Sequence, residues 1–177
     1  MPRLVPAIVL LVLPAVPLGA QAPDASHAAV TAVKGQWESV TNYILQSARD
    51  MPEAKFSFRP VPEVRTFGEI LGHVSGSQDM FCAIVLGEKA PAEDAVEKAA
   101  KTKAALIESL TATTAHCAKA YAMSDAEAQA PAQVFGQPNT RLGVLVLNAV
   151  HNAEHYGNLV TYLRINGMVP PSSRRGP

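Results

Sequence analysis

The sequence predicts an all-α domain, a four-helix bundle, on three observations. Four segments repeat apolar residues at helical spacing, no segment alternates with the period of two that a half-buried strand shows, and recognisable caps and breakers bound the four segments. A chain of 177 residues has room for about one domain. Its 15 Lys and Arg balance 15 Asp and Glu, and charged residues make up only 17%. There is no basic field to hold a phosphate backbone or an anionic lipid surface, so nucleic acid and membrane surfaces are excluded as favoured partners. An apolar fraction of 48% with no net charge also excludes a disordered chain.

Residues 1–22 read as an export signal: Arg3, an apolar stretch from Leu4 to Val16, then the small residues Gly19, Ala20 and Ala22. Crossing a bilayer takes about 20 apolar residues, and Pro6, Pro14 and Pro17 interrupt this run, so the segment is expected to be removed and not to anchor the chain. Cleavage after Ala20 and cleavage after Ala22 both fit. The mature protein is therefore expected to be exported, periplasmic or secreted, with no membrane attachment. Its domain covers residues 23–171, and residues 172–177 form a loose tail.

In the first helix Val30, Val33, Trp37, Val40 and Ile44 form a narrow stripe that ends near Asp50, ahead of Pro52. A proline-rich link containing Pro60 and Pro62 follows. Thr66-Phe67-Gly68-Glu69 then matches the capping box, in which the Thr66 side chain takes the Glu69 amide and the Glu69 carboxylate returns the bond. The second helix buries Phe67, Ile70, Leu71, Val74, Phe81, Ile84 and Val85 and stops at Gly87. A third segment, residues 92–121, sets Val96, Leu106, Ile107, Leu110, Cys117 and Tyr121 on one side. It would outreach the second helix by some 15 Å, so its first turns are expected to form a separate crossover piece.

Residues 124–138 are polar and read as a link. The last helix opens at Asn139 or Thr140, runs to Asn166 and closes at Gly167, with Pro170 and Pro171 beyond. Leu142, Val144, Leu145, Val146, Leu147, Ala149 and Val150 surround its first turns, so it is expected to lie deep in the bundle.

Polar residues on such a helix need a reason. His151 and His155 stand one turn apart, about 40° from each other on the helical wheel, the spacing at which two imidazoles share one metal ion. Buried neighbours of this type cannot both charge cheaply, whereas neutral imidazoles around a divalent cation are satisfied. His73, on the shoulder of the second helix's apolar stripe, is the candidate third ligand. Three histidines leave coordination positions for water or substrate, as catalytic metal sites do. Asn148, Asn158 and Tyr162 continue the same row, and either asparagine could hold a second imidazole nitrogen. Glu154 is the candidate proton acceptor, although its wheel angle, about 100° from that of His155, also suits ordinary helix surface. His27 and His116 have no partner at useful spacing.

Thr66-Phe67-Gly68-Glu69-Ile70-Leu71-Gly72-His73, His151-Asn152-Ala153-Glu154-His155-Tyr156-Gly157-Asn158 and the ending from Tyr162 through Gly167-Met168-Val169-Pro170-Pro171 together resemble the DinB-like family of metal-binding bundles. The resemblance covers nearly all of the mature chain. It implies an up-down-down-up four-helix bundle with a divalent metal, zinc or nickel and less often iron, on His73, His151 and His155. It also implies a small-molecule substrate, and a homodimer through an exposed bundle face fits it. Better understood relatives are transferases or isomerases that use low-molecular-weight thiols. Such thiols belong to a reduced cytoplasm, so an exported relative is expected to use another nucleophile, such as metal-bound water. Many members carry an acidic residue where Gln78 stands, which keeps a second reading open: a non-catalytic periplasmic metal- or ligand-binding bundle.

Cys82 and Cys117 sit among apolar residues of the second and third segments. In antiparallel neighbouring helices they would lie some 30 Å apart, and only a parallel pair brings them close. Two free, buried thiols are expected.

Overall fold

The computed structural model describes residues 26–174. Helix α1 spans Ala28–Asp50, α2 Phe67–Leu86, α3 Ala95–Ala99, α4 Lys103–Ala120, α5 Asp125–Ala128 and α6 Arg141–Ile165. Strands β1, Pro131–Val134, and β2, Gln137–Thr140, precede α6, and single 3-10 turns occur at Glu53–Lys55 and Pro171–Ser173. The expected signal segment lies outside the described residues. Among the described residues no helix is long and apolar enough to cross a membrane.

The four long helices begin and end where their sequence requires. Thr66 caps α2 by accepting the Glu69 amide at 3.2 Å, while Glu69 accepts the Thr66 amide at 2.7 Å. Gly87, with φ of 75°, closes α2 in the left-handed region that a side chain avoids. Thr140 caps α6 through the Gly143 amide at 3.1 Å, and Gly167 follows its end with φ of 74°.

Contacts between helices fix the direction of each. Thr41 and Tyr43 of α1 meet Asn152 and Tyr156 of α6 in the same order, so these two run parallel. Ser75 of α2 meets Thr113 of α4, and Cys82 meets Cys117, so this pair is parallel too. Helices α2 and α6 are antiparallel, with His73 beside His151 and Cys82 beside Asn148. The order is up-down-down-up. Two apolar clusters fill the bundle, one around Trp37, Phe81, Tyr121 and Leu145 and the other around Phe67, Leu71, Leu110 and Leu163. Between them lies a buried polar layer containing Thr41, Gln78, Thr113 and Asn152.

The parallel α2/α4 pair overturns the expectation of two free thiols. Cys82 and Cys117 lie near the same end of their helices, 5.2 Å apart between Cα atoms, and form a disulfide. The pair is parallel because the chain returns along the outside of the bundle through residues 87–102, of which α3 is the helical part, separate from α4 as expected.

Three further expectations change. The link at residues 124–138 contains α5 and most of a hairpin whose two-residue turn, Phe135-Gly136, has positive φ at both positions (51° and 74°), the geometry that matches strand twist. Helix α6 is not engulfed: it packs on α1 and α2, and its outer face leaves Val146 and Val150 41% and 58% exposed. The first residues of the tail are held rather than loose, with Tyr156 Oη 2.8 Å from Ser172 Oγ and Arg174 paired with Asp50.

Candidate metal centre

Antiparallel packing of α2 on α6 sets His73 against the His151–His155 turn. The Nε2 atom of His151 lies 3.1 Å from Nε2 of His73 and 3.1 Å from Nε2 of His155. The rings meet edge-on, with centroids 4.5 Å apart for His151–His155, 4.7 Å for His73–His155 and 5.0 Å for His73–His151.

Burial disfavours the charged form of all three rings. It is the main cause lowering His73 to about 4, with Arg65 and His151 adding to it. His155 is lowered to about 4 by burial and by its two histidine neighbours. His151 is also lowered, chiefly by burial, against the opposing pull of Glu93, Asn152 and Glu154. The rings are thus neutral near pH 7. A neutral Nε2 holds either one proton or one lone pair, so His151 cannot complete a full hydrogen bond with both neighbours. A shared cation would satisfy all three lone pairs at once. The Nδ1 atom of His151 is buried with no partner in hydrogen-bond geometry.

The surrounding residues divide clearly. The Asn158 amide lies 3.4 Å from Nδ1 of His155. Asn148 is turned away from the histidines and donates instead to the Tyr121 hydroxyl at 3.2 Å. Glu154 is exposed and influences His151 and His155 through charge alone. Gln78 does not face the rings: it is fully buried in the polar layer, donating to Thr113 Oγ1 at 2.7 Å and accepting from Asn152 at 3.2 Å. His116 is not isolated, because its two nitrogens reach Asp79 at 2.6 Å and Glu88 at 2.9 Å.

Two acidic residues beside the trio escaped sequence reasoning. Glu93 Oε1 lies 3.8 Å from His73 Nε2 and accepts from Ser77 Oγ at 3.2 Å. Glu97 Oε2 lies 3.8 Å from His73 Nδ1, while its other oxygen takes Arg65 Nε at 3.1 Å. Both stand on the crossover, and the glycines flanking His73 were the signal available for them. A cavity of about 550 Å³ opens beside His155, lined by Arg65, Ile70, Asn158 and Tyr162 among others.

Residues 36–159, well over half of the chain, match the family model described as the DinB superfamily. The chain belongs to the DinB superfamily. Solved structures agree on the fold. A DinB-like protein from Bacillus cereus superposes with a TM-score of 0.69 at 15% identity, covering 80% of this chain and 95% of that one. A DinB-like protein from Bacillus subtilis gives 0.60 at 18% identity, covering 82% and 99%. A variant of the mycothiol-dependent maleylpyruvate isomerase gives 0.60 at 14% identity, covering 76% of this chain and 66% of that one. None of the curated protein sequences matches the chain.

Proposed function

We propose that this DinB-superfamily protein is an exported metalloenzyme, a hydrolase or a thiol or other group transferase, that holds a divalent ion on His73, His151 and His155. The observation that carries this reading is the convergence of three neutral Nε2 atoms, within 4.8 Å of one another, that cannot satisfy each other. Nitrogen donors of this kind suit zinc and nickel first and iron next. When bound, the ion would polarise a substrate or lower the pKa of a water or thiol at an open position.

The protein's own residues supply binding and orientation. The cavity beside His155 is of small-molecule size; Arg65 and Asn158 on its wall offer donors to a polar substrate, while the Tyr162 hydroxyl donates to the Arg65 carbonyl at 2.6 Å and is left to accept. Asn158 steadies His155 from the far side of the ring, while Glu154 stays exposed to solvent at the rim. The Cys82–Cys117 bridge supports a life in an oxidising compartment, as does the leader-like residues 1–22. That setting favours water over a low-molecular-weight thiol as nucleophile, in contrast to the mycothiol-dependent isomerase that shares the fold.

A non-catalytic metal-binding bundle is the second reading, favoured by one observation: Gln78 is fully committed to core hydrogen bonds and adds no acid to the site. Elemental analysis of the mature protein beside a His73/His151/His155 triple alanine variant tests both. About one equivalent of metal in the wild type and none in the variant supports the site, after which hydrolytic and transfer substrates divide enzyme from binder. No metal after reconstitution of a folded wild type overturns both.

A further inference from the structure

Histidine 73 is flanked on α2 by Gly72 and Gly76, and both glycines are occupied from outside. A Cβ at Gly72 would lie 2.8 Å from the Glu97 Cα, and one at Gly76 would collide with the Glu93 carbonyl oxygen. The crossover therefore rests backbone to backbone on α2 directly over His73, an approach that only glycine permits. From that position Glu93 and Glu97 both reach back to the ring, each at 3.8 Å. They are not equivalent. Glu97 is paired with the Arg65 guanidinium, whereas Glu93 is held by the neutral Ser77 hydroxyl. Glu93 is also the carboxylate that lies beside Nε2, the nitrogen aimed at the other two histidines, and Glu97 lies behind, at Nδ1.

On the reading that the three histidines bind a divalent ion, we propose that Glu93, and not Glu154, is the acidic member of that site, supplying the negative charge that three neutral imidazoles lack. A divalent cation held by three neutral imidazoles would keep its full charge, and a carboxylate fixed beside them would offset that charge or hold a proton of a bound molecule. Glu154, one residue from a histidine in sequence, faces solvent. Glu93, remote in sequence, is brought in by the glycine cradle and fixed in place by Ser77.

Zinc affinity measured by chelator competition tests this, comparing wild type, Glu93→Gln and Glu154→Gln, with melting temperature and helical circular dichroism of the metal-free proteins as the fold control. Glutamine keeps the size of Glu93 and can retain the contact with Ser77. Glu93→Gln is expected to weaken zinc binding about 10- to 100-fold with the melting temperature unchanged, and Glu154→Gln to leave it within about twofold. The visible absorption of the cobalt-loaded protein should change in the first variant and not in the second. Wild type that binds zinc with Glu93→Gln within twofold of it overturns the role of Glu93 alone. So does an equal loss in Glu154→Gln. Wild type that binds no metal overturns the metal reading and Glu93 with it.

Discussion

Gln78 and His73 stand on the same helix, both buried, and their surroundings treat them in opposite ways. The Gln78 amide spends its whole capacity: its oxygen accepts from Trp37 Nε1 at 3.5 Å and Asn152 at 3.2 Å, and its nitrogen donates to Thr113 at 2.7 Å and Thr114 at 3.3 Å. These partners come from α1, α4 and α6, so one side chain ties α2 to the rest of the bundle. His73 and its two companions, in contrast, turn ring nitrogens toward each other that cannot all be satisfied and leave a buried His151 nitrogen unpartnered. A side chain whose bonds are all made helps a core specify one packing, even with Asn152 Oδ1 beside it left without a partner, whereas three rings that cannot satisfy one another suit a ligand that would.

If the two regions are independent, damage to one should spare the other. The largest effect should come from opening the Cys82–Cys117 bridge, which braces the polar layer and closes a loop with a sequence separation of 35. A Cys82→Ser/Cys117→Ser variant is expected to lose about 3–4 kcal/mol in urea unfolding while keeping zinc affinity within about threefold. Loss of metal binding in a folded variant would show that the layer and the trio are one unit. Next, Gln78→Leu should cost about 2–3 kcal/mol, because it strands the buried indole, hydroxyl and amide groups that Gln78 now satisfies. His155→Leu, measured on metal-free protein, should cost under about 0.5 kcal/mol or raise the melting temperature, since it removes a polar ring that burial already penalises. Equal losses in both variants would break the distinction.

A small and pH-dependent effect belongs to a third kind of polar cluster, near the surface. Burial opposes protonation of His116, but its hydrogen bonds to Asp79 and Glu88 prevail and raise its pKa above the usual value of 6.5. A value raised on folding stabilises the protein fully below the unfolded pKa, and that contribution is lost as pH rises through the folded value. Stability curves of wild type and His116→Gln should therefore differ by at most about 1 kcal/mol at pH 6 and converge toward pH 9. A gap that widens with pH would contradict the clamp.

Helix boundaries and the trio were legible in the sequence because their signals are local: Thr66 with Glu69, Gly87, Thr140, Gly167, and the single-turn spacing of His151 and His155. His73 could be added because its helix has a clear apolar face. What stayed hidden depends on which helix meets which. Cys82 meets Cys117, and His116 meets Asp79 and Glu88, because α2 and α4 run parallel. Glu93 sits in a polar stretch that looks like solvated surface until Gly72 and Gly76 are seen from the other side. The hairpin was missed because four-residue strands such as Gln137-Pro138-Asn139-Thr140 show no alternation, and Phe135 is an uncommon residue at positive φ. The apolar first turns of α6 overstated its depth, since a helix at the corner of a four-membered ring always keeps an outward face.

The route between α2 and α4 sets how the centre breathes. Helix α3 buries none of its five residues, whereas α2 beneath it is almost wholly enclosed and stapled to α4. Local opening follows the weakest packing, so amide exchange should begin in residues 93–100 long before it reaches His73 or His151. Such an excursion lifts the acidic wall from the histidines and leaves the three rings where they are. Opening at that wall needs only the free energy of one short segment, and the bundle beneath it can remain closed throughout.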